Sequence, residues 1–170
     1  NLGGTSGVGD PTYDMQGGDC KIEGRTWVFN RNGGDAYFRL SNAASLETEE
    51  LLVADNGYFQ QSGGSHQAEY IRLSNGGSYS YTAGTLEITR ALAGEGVFDF
   101  GDSNVILYIE QGASANFSQI AILGAGNANI RAKADSLLNF AADFNPLTDL
   151  GGFHTQGLVH VAGEVLIIPP

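Results

Sequence analysis

From Ile22 onward, apolar and polar positions alternate in short runs separated by clusters of Gly, Asn, Asp and Ser. The runs are Thr26–Asn30, Ala36–Leu40, Leu51–Ala54, Tyr70–Leu73, Tyr79–Thr82, Leu86–Thr89, Val97–Phe100, Val105–Ile109, Ile120–Leu123, Leu158–Val161 and Val165–Ile168. They are rich in β-branched and aromatic residues, and Tyr79-Ser80-Tyr81-Thr82, Leu86-Glu87-Ile88-Thr89 and Phe98-Asp99-Phe100 alternate with period two. That pattern predicts short strands, each burying one face. One stretch, Ala132–Asp143, reads as a short helix through Leu137, Leu138, Phe140 and Ala141. Residues 1–18 carry no apolar period and predict a flexible amino-terminal arm. Residues 19–140 form the strand-rich body. Residues 141–170 are an irregular loop followed by two strands, ended by Pro169-Pro170, which cannot donate to a ladder.

The body repeats itself. Tyr37-Phe38-Arg39-Leu40-Ser41-Asn42-Ala43-Ala44-Ser45 matches Tyr70-Ile71-Arg72-Leu73-Ser74-Asn75-Gly76-Gly77-Ser78 at six of nine positions. Weaker copies follow at Val53–Tyr58, Ala91–Gly96 and Tyr108–Ser114. Anchors before the turns, at Leu40, Ala54, Leu73, Leu92, Ile109 and Leu123, step by 14, 19, 19, 17 and 14 residues. One such unit cannot bury its own inward face, so units stack into a shared core. The predicted fold is therefore all-β, a parallel β-solenoid with irregular rungs of roughly 14–20 residues. The rival is a β-sandwich or jelly roll, since Asn32-Gly33, Asn56-Gly57 and Asn75-Gly76 are also hairpin signals.

Composition narrows the function. Of 170 residues 25 are Gly, only 16% are charged, and 19 acids outnumber 8 Lys and Arg to give a net charge of −11. Such a surface argues against nucleic acid or an anionic membrane as partner. No apolar run has the length of a membrane-spanning helix. The single cysteine, Cys20, excludes an intramolecular disulfide. A chain that opens on Asn1, with few lysines and many Gly, Ser and Asn, reads as an extracellular or cell-surface protein after signal-peptide removal.

Gly57-Tyr58-Phe59-Gln60-Gln61-Ser62-Gly63-Gly64, the turn Ser74-Asn75-Gly76-Gly77-Ser78-Tyr79, Gly84-Thr85-Leu86 and the ending Gly157–Gly163 carry a likeness. Over about residues 35 to 168 the chain resembles large exported bacterial repeat proteins with autotransporter-associated strand repeats or a carboxyl-terminal sorting or dockerin-type tail. The resemblance implies secretion and a β-helical shaft, and no catalytic residues. No tail of that kind is recognisable in this sequence.

Candidate chemistry is sparse. Gly101-Asp102-Ser103-Asn104 has the letters of a hydrolase nucleophile block, but it lies between two strands, and Asp149 stands five positions before His154. It reads as a turn held by an Asx-type cap. Paired carboxylates at Glu47, Glu49 and Glu50, or Asp99 with Asp102, are the acids a polysaccharide-active enzyme would use, although alternation makes Glu47 and Glu49 one solvated strand face. His66, His154 and His160 lack metal-ligand spacing. Asp55, Asp99 and Asp102 offer hard oxygens and are the candidate ligands for calcium. Tyr58, Tyr79 and Tyr81 are candidates for stacking on sugar rings.

A solenoid has two open ends whose strand edges invite pairing. The function expected is thus a structural subunit of a self-assembling extracellular filament or matrix, not an enzyme, joined head to tail with copies of itself. Its contacts are placed at Leu2, Val8 and Tyr13 and at Val165, Leu166, Ile167 and Ile168. The alternative is an adhesin or glycan-binding shaft that engages extracellular polysaccharide.

Overall fold

The computed structural model describes residues 10–30, 34–74 and 76–166. Its strands are β1 (Thr12–Met15), β2 (Asp19–Val28), β3 (Ala36–Leu40), β4 (Ser45–Val53), β5 (Gly57–Leu73), β6 (Ser78–Gly94), β7 (Val97–Asp99) and β8 (Ile106–Ile109). They continue as β9 (Ser114–Phe117), β10 (Ala121–Leu123), β11 (Asn129–Ala132) and β12 (Leu137–Phe140). A helical turn α1 (Pro146–Asp149) then precedes β13 (Gly152–Thr155), β14 (Leu158–Val161) and β15 (Glu164–Val165).

These strands wind into a parallel β-solenoid of about seven turns. Three ladders run its length. Face A stacks β1, β3, the start of β5, the start of β6, β7 and β10. Face B stacks the start of β2, the start of β4, the middle of β5, the middle of β6, β8, β11 and β13. Face C stacks the ends of β2, β4, β5 and β6, then β9, β12 and β14. Every described pair is parallel except β14 with β15, so the hairpins of a sandwich are not formed.

Partners on adjacent coils are 19 residues apart at Ser78 and Val97 and 26 apart at Asp19 and Ser45. The shorter anchor step, from Leu40 to Ala54, joins two faces of one coil: Leu40 ends a face A strand and Ala54 follows a face C strand. Likewise the two best copies of the sequence repeat do not stack on each other. Tyr37 lies on Tyr58, while Tyr70 lies between Glu50 and Ala91. What repeats is a strand running into a corner, and the same wording serves two different corners.

Alternation sends every second residue inward. On face A the inward column is Phe38, Phe59, Tyr79 and Phe98, all buried, with ring centroids 4.9, 4.7 and 5.2 Å apart and interplanar angles of 9°, 19° and 4°. Those spacings are close to the ~4.8 Å between strands, so the ladder itself sets the stacking distance. Face C contributes the inward column Thr26, Leu51, Ile71, Leu92, Ala115, Leu138 and Val159. Thr26 is the odd member: its Oγ1 is buried without a hydrogen-bond partner. A buried hydroxyl that has left water without a partner destabilises, and Val has the same shape. Thr26→Val is therefore expected to stabilise the protein by about 1 kcal/mol, read as a rise in the urea midpoint.

Two expectations change. The segment 132–143 is not helical; Leu137–Phe140 is β12, with Leu138 and Phe140 inward and Leu137 and Asn139 turned outward. Period two satisfies a stacked rung, whereas a helix there would leave β9 and β14 without a partner between them. The helical turn comes later, where Pro146 occupies the first turn and the Asn145 side chain accepts the Leu147 N–H at 3.0 Å. Of the stretch read as an arm, Thr12–Met15 is β1, paired with β3.

Candidate functional site

The interior holds one polar assembly. Thr48 Oγ1 lies 2.9 Å from His66 Nε2, and His66 Nδ1 lies 2.8 Å from the Tyr79 hydroxyl. Tyr79 donates to Gln61 Oε1 at 2.8 Å, and Gln61 Nε2 donates to the Thr85 carbonyl at 2.9 Å. Because the single Tyr79 proton goes to Gln61, His66 must donate from Nδ1 and accept the Thr48 hydroxyl at Nε2. The donations then run in one sequence, Thr48 to His66 to Tyr79 to Gln61 to the Thr85 carbonyl, crossing from face B to face A and back. Burial holds His66 neutral, lowering it from 6.5 to about 3, and pushes the Tyr79 hydroxyl well above 10. Tyr81, in the neighbouring inward column, lies 2.9 Å from the carbonyls of Gly84 and Ile106 and accepts the Leu86 N–H at 3.1 Å. Its hydroxyl is raised to about 12, chiefly by burial. The four side chains of the assembly, Thr48, His66, Tyr79 and Gln61, are buried and hydrogen-bonded, a satisfied core network that clamps two faces together.

This burial corrects the sugar-stacking assignment. Tyr79 and Tyr81 are fully enclosed and cannot meet a ligand. Tyr58 does face outward, but one side of its ring is stacked on Tyr37 at 5.1 Å and 19°. Arg39 caps Tyr37 at 5.1 Å, and the Tyr37 hydroxyl donates to Asp35 at 2.9 Å.

The carboxylates disperse. Asp55 sits at the corner between faces C and A, in the left-handed region at φ 47. Asp99 accepts the Gly101 N–H at 2.8 Å, an Asx-type turn that precedes the expected one at Gly101–Asn104, and the Asp102 carbonyl accepts from Asn127 at 2.9 Å. Among the described residues no group of three or more His, Cys, Asp or Glu side chains is close enough to hold a metal ion. Glu47 pairs with Lys21, Glu50 with Arg25 at 2.6 Å, and Glu49 accepts the Gly24 N–H at 2.7 Å. These acids are solvated ties between the first two coils.

The expected assembly residues belong to the two ends of the chain. Leu2, Val8, Ile167 and Ile168 lie outside the described residues. Tyr13 is 42% exposed at the first rung of face A, over Phe38. Val165 is 58% exposed in β15, which folds back antiparallel on β14 and closes the edge of face C. Leu166 packs against the core, its N–H donating to Val159 at 2.8 Å. Among the described residues face B is one-sided at both ends, where β2 pairs only with β4 and β13 only with β11, and so is face A, where β1 pairs only with β3 and β10 only with β7. The inward column of face B is buried at Leu46, His66, Leu86, Leu107 and Ile130, yet only half-buried at Cys20 and Ile22 at one end and at Phe153 and Thr155 at the other. The sequence carried no signal for these end positions, since β13 lies in a stretch with no clean alternation.

Among the described residues no helix is long and apolar enough to cross a membrane. Comparison with protein-family models, curated proteins and solved structures gives no match.

Proposed function

We propose that the chain is a structural subunit of an extracellular filament or matrix, joined head to tail by strand pairing along face B. One observation carries this reading: the inward column of face B is complete in the middle and incomplete at both ends, on strands with open edges of the same parallel sense. Setting β13 of one subunit on β2 of the next continues the ladder and brings Phe153 and Thr155 over Cys20 and Ile22. The contact is heterologous, and a heterologous contact that does not close into a ring generates a filament. Face C does not continue, because β15 covers it. The role needs no catalysis, and the acidic, lysine-poor, glycine-rich composition suits export.

The open-edge amides can be named. Gly152 N–H donates to the Ala128 carbonyl and Gln156 N–H to that of Ala132, so the alternate N–H groups of Phe153 and Thr155 point to the free edge. At the other end Ser45 N–H donates to Gly18, which turns the Lys21 N–H outward. Proline at either position removes an edge donor without touching the internal ladder. Wild-type protein is expected to form filaments in negative-stain electron microscopy and to sediment faster as concentration rises. Thr155→Pro and Lys21→Pro are each expected to leave short monodisperse rods with unchanged circular dichroism. Wild-type rods that stay monomeric at high concentration, or variants that polymerise like wild type, would overturn the reading.

A further inference from the structure

The outward column of face B runs Lys21, Glu47, Gln67, Glu87, Tyr108, Arg131 and His154 on successive coils, with Lys21 paired to Glu47. After Lys21 the column is acidic or amide through Glu87, and its last three members are aromatic and basic. They border a surface groove of about 550 Å³ that Lys133, Phe153 and Gln156 also line. Lys133 is neutralised by Glu110. Lys21, Arg25, Arg39 and Arg90 are likewise held in ion pairs with Glu47, Glu50, Asp14 and Glu69. Arg131, exposed in the groove, and Arg72, exposed on face C, make no ion pair among the described residues, and of the two only Arg131 lies in this groove. On a chain of net charge −11, a guanidinium left without a counter-ion beside a tyrosine is a local exception to the surface around it.

We propose that this groove binds an acidic oligosaccharide, with a uronate carboxylate on Arg131 and a pyranose ring against Tyr108. A guanidinium offers a planar pair of donors that matches a carboxylate. A phenol ring offers the flat apolar surface that a sugar's C–H face requires, and its hydroxyl serves the rim. With coils ~4.8 Å apart, the column from Tyr108 to His154 spans ~10 Å, so neighbouring units of one short chain reach both. Gln156 and His154 supply polar groups for hydroxyls. Glu87, one coil before Tyr108, and Glu110, beside Lys133, repel densely charged polyanions and leave room for a sugar bearing one carboxylate per unit. Nucleic acid would require many more cations than this face presents.

Phe153 and Thr155 line both this groove and the proposed subunit joint, so binding is read on the chain at concentrations below those at which it assembles. Isothermal titration of the whole chain with a trimer of galacturonate, and separately with a trimer of mannuronate, is expected to give saturable binding to at least one. Methyl esterification of that trimer, Arg131→Gln and Tyr108→Leu are each expected to weaken it tenfold or more. Arg72→Gln, which removes an equal charge from the exposed surface of face C, is expected to leave it unchanged, and thermal melts confirm that each variant is folded. Failure of both acidic trimers to bind overturns the proposal. So does equal affinity for the methyl ester, or binding insensitive to Arg131→Gln. Binding of sulfated dextran without either uronate would make the groove a general anion patch and sink the sugar assignment.

Discussion

Between pH 6.5 and about 3, wild-type protein is expected to lose about 4–5 kcal/mol of stability that a His66→Gln variant does not lose. The folded chain keeps His66 neutral down to about 3, because its ring is buried between Thr48 and Tyr79 and no carboxylate is among its partners. The unfolded chain takes up that proton near 6.5. In this window the unfolded state therefore binds more protons, and stability falls as pH falls; above 6.5 neither state is charged at His66 and the slope vanishes. The 19 acids titrate in the same range, so the quantity to read is the difference between the two proteins in urea melts at successive pH values. At pH 7 His66→Gln is expected to be less stable by about 1–3 kcal/mol, since glutamine satisfies Thr48 and Tyr79 less well. That deficit should shrink on acidification and reverse before pH 3. A difference that stays constant with pH would mean that His66 is solvated in the folded chain.

Gly94→Ala is expected to cost on the order of 4 kcal/mol, a fall of roughly 8–16 °C in Tm. Two effects add. Gly94 has φ +134, a conformation that side-chain-bearing residues rarely adopt. An added Cβ would also sit on the Leu73 carbonyl oxygen, well inside van der Waals contact. That carbonyl accepts the Glu95 N–H at 3.0 Å, so the corner of one coil is pinned against the next and neither can retreat alone. Gly112, at φ +71 with nothing near its Cβ position, supplies the contrast: Gly112→Ala carries backbone strain and no clash. Circular-dichroism melts of the pair separate the two terms. Equal losses would show that the close approach at Leu73 contributes nothing.

Much of this architecture was legible in one dimension. The clean alternation at Tyr79–Thr82, Leu86–Thr89 and Phe98–Phe100 identifies which side chains point inward, because a strand has only two faces. Glycine and asparagine clusters mark corners for the same local reason, that sharp turns need left-handed backbone, as at Asn42 and Asp55. The helix expected over 132–143 failed because four apolar residues fit both periods, and the rungs on either side chose between them. His66 carried no sequence signal at all: an isolated histidine between polar neighbours gives no hint that Thr48 and Tyr79 meet its ring, or that Gln61 extends the network beyond Tyr79.

Strand identity, inward parity and corner chemistry are thus properties of the amino-acid sequence, since each depends on a few neighbouring residues. Register, coil length and the contents of the outward columns were decided by the tertiary structure. The best internal match, Tyr37–Ser45 with Tyr70–Ser78, is 33 residues apart, while stacked partners such as Phe59 and Tyr79 are 20 apart. Packing of aromatic rings one above another, and backbone approach at corners such as Gly94, fix which residues meet. The meeting of Tyr108 with Arg131 and His154 follows from that register alone, because contacts across coils are set by the accumulated length of every strand and corner between them.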